Sequence, residues 1–253
     1  MAWVESPSYV LRRWTVLRQA RRLPRGRVLE VGCGAGDLMA HLVQLGFAGT
    51  AVETSAWARE EAGERFRRLA LEVELLPRLE DTAGQFDLVV ACEVLEHLED
   101  DVAALRAWAE RVRPGGRLLV TVPGHPRRFG PSDEWAGHWR RYTRADLAAR
   151  AADGGLLVES LHCTGFPLGN LIEPLRNRLH RRRLEREPPL SRGERTRRSG
   201  VDRPIEGRLR LLSSPLLVLP FCWLQLPFVS TDLGTGFLLV ARRPAGPSAA
   251  TAS

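Results

Sequence analysis

Val28-Leu29-Glu30-Val31-Gly32-Cys33-Gly34-Ala35-Gly36 is an apolar run that carries one acid and then opens into alternating glycines. The run reads as a short strand, Arg27 to Val31. The stretch after it, Asp37 to Leu45, reads as a helix stopped by Gly46. Glycine is needed where a chain turns sharply and its backbone must approach a ligand with no side chain between them. A dinucleotide site would show G-x-G-x-x-G, with helix N–H groups facing a pyrophosphate. Here the spacing is G-x-G-x-G, and Glu30 stands two residues before the first glycine. An acid at that point would repel a pyrophosphate and suits a cationic ligand bearing an amino group.

Working outward, strands are expected at Gly49 to Glu53, Leu71 to Leu76, Phe86 to Ala91, Arg117 to Val122, Leu156 to Leu161 and Gly236 to Ala241. Helices are expected at Tyr9 to Leu23, from the Ser55 cap to about Ala70, at Asp100 to Arg111, and from the Thr143 cap to Ala152. Pro114-Gly115-Gly116 reads as a stop between a helix and a strand. This alternation predicts an α/β fold: a Rossmann-like, seven-stranded, mostly parallel sheet with helices on both faces. Leu161 and Gly236 lie 75 positions apart, so a long insertion is expected between the last two strands. The expected organisation is an N-terminal helix (1–23), a ligand-binding domain (24–161 with 234–243), a basic and apolar cap (162–233) and a disordered tail (244–253).

The loop resembles the first motif of class I S-adenosylmethionine-dependent methyltransferases. Three further stretches support the resemblance in order: Glu53 at the end of the second strand, Phe86 to Leu98 (FDLVVACEVLEHL) and Arg113 to Pro123 (RPGGRLLVTVP). The Phe86 to Leu98 stretch is similar to the ubiquinone-biosynthesis-type branch. The resemblance covers roughly residues 24 to 161. It implies S-adenosylmethionine as cofactor, held by Glu30, Gly32, Cys33, Gly34 and Gly36. Glu53 and Thr54 would lie at the ribose, and Cys92 and Glu93 beyond the fourth strand. The family usually places an Asp after its third strand. Here Pro77-Arg78-Leu79-Glu80-Asp81 stands there, and Glu80 is the expected adenine contact, with Asp81 an alternative.

A sulfonium is already an activated electrophile, so the protein need only hold a nucleophile in line and remove its proton. No metal is expected. His97 is the expected general base, because imidazole titrates near neutrality. With Glu96, it could equally do no more than start a helix. His138 is the second catalytic candidate. It sits in a loop rich in His, Trp and Arg, Pro123 to Thr143, whose G-H-x-R-R-Y-T segment resembles many members of the branch. His125, Trp139, Arg141 and Tyr142 are expected to bind substrate. The competing reading is that the tryptophans anchor the loop and Arg141 pairs with Asp133 or Glu134. Trp3, Tyr9 and Trp14 read as packing residues, with closure over the cofactor as the alternative.

All 37 basic residues are arginine, which excludes a lysine nucleophile or Schiff base. The four cysteines are scattered, which argues against a disulfide framework and fits a reducing compartment. No export signal is read at the N-terminus. Residues Arg176 to Arg210 hold 13 arginines against 5 acids, and the remaining chain is near neutral. Ser191 to Arg198 reads as a mobile loop. Leu211 to Thr231 then runs 21 residues without a charge. Pro215, Pro220 and Pro227 break it, so a pair of short helices capping the substrate pocket is expected rather than a membrane span. A basic stretch beside an apolar one also suits peripheral membrane contact through 176–231. Nucleic acid is not expected, because the basic run offers no stacking aromatics. The expectation is therefore a cytoplasmic enzyme that methylates a small-molecule acceptor, most plausibly at oxygen. The two rivals are a methyltransferase of lipid-like or polyprenyl-linked substrates on the inner membrane face, and a protein that binds the cofactor without catalysis.

Overall fold

The structure is a computed structural model that describes residues 5–188, 190–199 and 215–245. The expected disorder of the tail falls, from residue 246 on, outside that range. One seven-stranded sheet forms the frame. Its strands are β1 (Arg27–Val31), β2 (Ala48–Val52), β3 (Val73–Leu76), β4 (Phe86–Cys92), β5 (Val112–Pro123), β6 (Leu157–Thr164) and β7 (Gly236–Arg242). The spatial order is β3-β2-β1-β4-β5-β7-β6. The first five strands pair parallel, and β7 runs antiparallel between β5 and β6. The central strands are mostly apolar, and beyond Arg27 and Asp87 at their entrances they are largely buried, as helices on both sides require.

The helices are α1 (Pro7–Ala20), α2 (Asp37–Gln44), α3 (Ala56–Arg68), α4 (Asp101–Arg111), α5 (Pro131–Ala136), α6 (Arg144–Asp153), α7 (Leu168–Leu184), α8 (Arg192–Ser199) and α9 (Pro215–Leu224). Caps fix their starts. Ser6, Ser55 and Asp100 each accept a backbone N–H of the first turn, and Thr143 forms a capping box with Asp146.

Two expectations need correction. β5 begins five residues early, at Val112. Pro114-Gly115-Gly116 does not stop it, because Gly115 N–H donates to the Arg243 carbonyl (3.0 Å) and Arg243 N–H to Gly116 O (3.1 Å). Pairing with Arg243, just after β7, rescues a sequence that locally favours a turn. Ser191 to Arg198 is not a loop either. Arg192–Ser199 is helical, capped where Ser191 pairs reciprocally with Glu194.

Between β6 and β7 the chain makes α7, α8 and α9. No helix among the described residues is long and apolar enough to cross a membrane. α9 packs on α1 through Val10, Leu11, Val218 and Cys222. The buried Gln225 clasps the junction, its amide reaching the Leu11 carbonyl (3.4 Å) and its oxygen accepting Gly165 N–H (3.1 Å).

Candidate active site

The glycine loop joins β1 to α2 at the carboxyl ends of the strands, where ligands of such sheets bind. Gly32, Gly34 and Gly36 adopt φ of +71°, +53° and +74°, a left-handed region that side chains disfavour. Gly32 and Cys33 donate N–H bonds to Val52 O (2.8 and 3.1 Å), tying the loop to β2. A Cβ on Gly36 would strike Phe66 at 2.6 Å, whereas one on Gly34 would meet nothing within 4 Å. The loop is thus packed from behind and open at Gly34.

Glu53 follows β2, and its carboxylate accepts Gly34 N–H (2.9 Å) and Ser55 N–H (2.8 Å). Thr54 is exposed beside it. Glu30 is buried, one of its oxygens has no hydrogen-bond partner among the described residues, and burial pushes its carboxyl well above the usual range. An amino group placed there would satisfy that oxygen. Glu80 lies exposed in the Leu79–Asp81 turn, and Asp81 is taken by Arg78 (3.0 Å).

Trp3, Tyr9 and Trp14 are expected either as packing residues or as closure over the cofactor; Trp3 lies outside the described residues, and the side chains of α1 that reach the site are its arginines and Tyr9. Buried Asp37, in the first turn of α2, accepts Tyr9 OH (2.9 Å), Arg65 (2.9 Å) and Arg13. Arg12 pairs with Glu93 at 3.2 Å. Glu93 itself has φ +56°, a strained conformation held by its N–H bond to Thr121 O (3.0 Å). A faint signal was available: Arg12-Arg13 lies three and four residues after Tyr9, so all three share one face. Cys33 and Cys92 cannot serve as thiolates. Burial drives the first well up and the second to about 12.

Beyond β4, Glu96, His97 and His138 converge, with one potential ligand atom from each lying within 4.8 Å of the others. The two imidazoles meet edge to face, centroids 4.7 Å apart. Glu96 is fully buried and neither carboxyl oxygen has a hydrogen-bond partner among the described residues; burial, then Glu93, raises its carboxyl well above the usual range. His138 Nε2 lies 3.9 Å from Glu96, and its Nδ1 is 2.9 Å from Asp133. His97 Nδ1 meets Thr196 Oγ1 at 3.2 Å, and burial holds its ring at about 3, hence neutral at physiological pH. The cluster can exchange protons, and its donor set would also hold a divalent cation.

Of the residues expected on substrate, Arg141 and Tyr142 are placed elsewhere. Arg141 is buried, and its donors are spent on Asp133 (2.7 to 2.9 Å), Glu173 (2.6 Å) and Gly124 O (3.4 Å). Tyr142 is buried and donates to Asp101 at 2.9 Å. Both pin the loop under the site, as a buried guanidinium and phenol must when their partners lie inside. Trp139 is half-exposed, its ring covered by Arg192 at 3.8 Å, and its backbone N–H donates to the Glu96 backbone carbonyl (2.7 Å). His125, at φ +65°, packs on Phe237 (5.3 Å), and its buried Nε2 is unpartnered among the described residues.

Residues 6–177 match a family model described as a methyltransferase domain. The ubiquinone biosynthesis O-methyltransferase of Xanthomonas axonopodis pv. citri is 33% identical over 180 residues, covering 63% of this chain and 72% of that protein. In fold, the chain resembles the magnesium protoporphyrin IX methyltransferase of Synechocystis with S-adenosylhomocysteine bound (TM-score 0.57, 16% identity, 93% and 84% of the two chains). It also resembles a [4+2]-cyclase (TM-score 0.60, 16% identity, 93% and 82%).

Proposed function

The chain belongs to this methyltransferase family and takes S-adenosylmethionine as its donor, and we propose that it methylates a hydroxyl oxygen of a small molecule with His97 taking the hydroxyl proton. The observation that carries the reading is the half-buried His97 meeting Glu96 and His138 at the open end of β4. Bound S-adenosylmethionine supplies a methyl on a positively charged sulfur.

The chain's own groups fit that cofactor. Glu53, at the end of β2 beside Gly34, suits the ribose hydroxyls, and the Glu30 oxygen that has no hydrogen-bond partner among the described residues suits an amino group. Gly34 leaves room for close backbone approach. Arg12 and Arg13 of α1 bring cations for a carboxylate. Cys92, Glu93 and Glu80 complete the expected shell. At the acceptor side, His97 holds a lone pair for the departing proton. His138, Trp139 and His125 would frame the acceptor.

Relatives of the ubiquinone biosynthesis type make hydroxylated aromatics the first acceptors to try. Protein, cofactor and a catechol panel are incubated, and S-adenosylhomocysteine and methyl ether are counted by mass spectrometry. Acceptor-dependent release of both is expected, with His97→Ala slowed and cofactor binding kept. Transfer to nitrogen or carbon acceptors only would overturn the oxygen assignment.

A second reading is favoured by one surface. Leu171 (72% exposed), Leu175 and Leu179 recur every four residues along α7, and Leu217, Leu219 and Trp223 stand out from α9. Arg178, Arg181, Arg182 and Arg183 share α7. Such a face suits peripheral contact with an anionic membrane and a lipid-like or polyprenyl-linked acceptor. Flotation with phosphatidylglycerol liposomes is expected to carry the protein, and serine at the three α7 leucines to release it. Equal flotation of both proteins would remove this reading.

A further inference from the structure

The geometry points to Thr196, a residue of the insertion 99 positions away in sequence, as the positioning residue that fixes the tautomer of His97, so that docking of α8 completes the active site. This rests on the reading of His97 as proton acceptor.

A neutral imidazole carries one N–H and one lone pair, and whichever nitrogen keeps the proton decides whether the ring can take another at the useful end. His138 has its answer within its own loop: the Asp133 carboxylate accepts at Nδ1, leaving Nε2 toward Glu96. Among the described residues no carboxylate pairs with His97 Nδ1. Thr196 Oγ1 stands at that nitrogen, 3.2 Å away. The Thr196 hydroxyl carries two acceptor lone pairs besides its proton, so it can receive an Nδ1–H. In that arrangement Nδ1–H donates to Thr196, and the Nε2 lone pair is free for the acceptor hydroxyl.

α8 is held where this requires it. Arg195 donates to Glu134 O (2.9 Å), and Arg192 stacks on Trp139 (3.8 Å). Gly137, one residue before His138, accepts the helix directly against its backbone. A Cβ there would come within 2.7 Å of Arg192 O and 2.9 Å of Thr196 Oγ1. The two catalytic histidines and α8 thus form one contact, and a segment with no counterpart in the sheet supplies part of the chemistry.

Thr196→Val keeps the shape and removes the acceptor; Thr196→Ser keeps the acceptor. The valine variant is expected to lower kcat about tenfold or more with S-adenosylhomocysteine affinity unchanged by calorimetry, and serine to restore it to within about threefold. Imidazole nitrogen shifts of ¹⁵N-histidine protein should show His97 predominantly protonated at Nδ1 in the wild type and in a tautomer mixture in the valine variant. Gly137→Ala, which pushes α8 away, should reproduce the kcat loss, and combining it with Thr196→Val should add little. An unchanged His97 tautomer in the valine variant overturns the assignment, as does wild-type kcat. If no acceptor turns over, the proposed function falls, and the nitrogen shifts still decide this inference.

Discussion

The Glu53 carboxylate accepts the Gly34 N–H at 2.9 Å, and so binds the end of the second strand directly to the open tip of the glycine loop. Its other oxygen accepts Ser55 N–H at 2.8 Å, at the entrance of α3. One side chain therefore shapes the loop and presents charge to it. Glu53→Ala should remove both effects. We expect cofactor affinity to fall at least about tenfold, equivalent to about 1.4 kcal/mol. Calorimetric titration with S-adenosylhomocysteine measures it, and unchanged affinity would refute the assignment.

Asp37 shows how α1 is bound over that loop. Its buried carboxylate faces Tyr9 OH, Arg13 and Arg65, so removing it takes a buried counterion from two guanidinium groups, of which Arg13 keeps Glu5 at 2.8 Å. Breaking a buried pair costs about 3–5 kcal/mol, and the partial exposure of both arginines argues for the lower end. Asp37→Ala should therefore lower Tm by about 6–12 °C. It should also weaken cofactor binding, because α1 carries Arg12 and Arg13. A thermal shift of a degree or two with full affinity would show that α1 is held by apolar contacts alone.

Arg141 tests whether the loop after β5 contacts substrate or supports those residues that do. Its guanidinium is enclosed by Asp133 and Glu173, the latter contributed by α7 of the insertion. Arg141→Gln should destabilise by about 3 kcal/mol or more, seen in urea unfolding. At a temperature where the variant stays folded, the acceptor KM should remain within about twofold of wild type. A large rise in KM without loss of stability would return Arg141 to the substrate.

The strands and their order of appearance were legible because parallel strands buried on both faces leave continuous apolar runs. The glycine loop and Glu53 were legible because backbone conformation demands particular residues at fixed spacing. Two things were not. Tyr142 looks like a ligand residue in sequence, and for Arg141 the sequence offers both substrate and a pair with Asp133 or Glu134, since a buried polar group cannot be told from an exposed one until all its partners are located. Asp133 lay near in sequence, but Glu173 and Asp101 lie 32 and 41 positions away. Likewise α8 has a polar, arginine-rich sequence with little apolar periodicity, and its helix is stabilised by docking on Glu134, Gly137 and Trp139. Tertiary contact overrode weak local preference there.

Glu96 and His97 should respond to pH in opposite senses. Burial lowers the His97 ring from 6.5 to about 3, so between those values the unfolded chain binds the extra proton. Stability from this group is fully present above about pH 6.5 and declines as pH falls toward 3, at up to about 1.4 kcal/mol per unit. His97→Asn should thus lose less stability than wild type between pH 6.5 and 4.5. Glu96 is raised by the same burial, with Glu93 adding to it. Above 4.5 the unfolded chain sheds a proton that the folded state keeps, so wild type is penalised as pH rises. Glu96→Gln should gain on it steadily across that range. Urea unfolding of the three proteins at pH 5, 6, 7 and 8 gives the slopes. Parallel curves would mean that the cluster is hydrated and shares no buried proton; curves that diverge in opposite directions are the expected result.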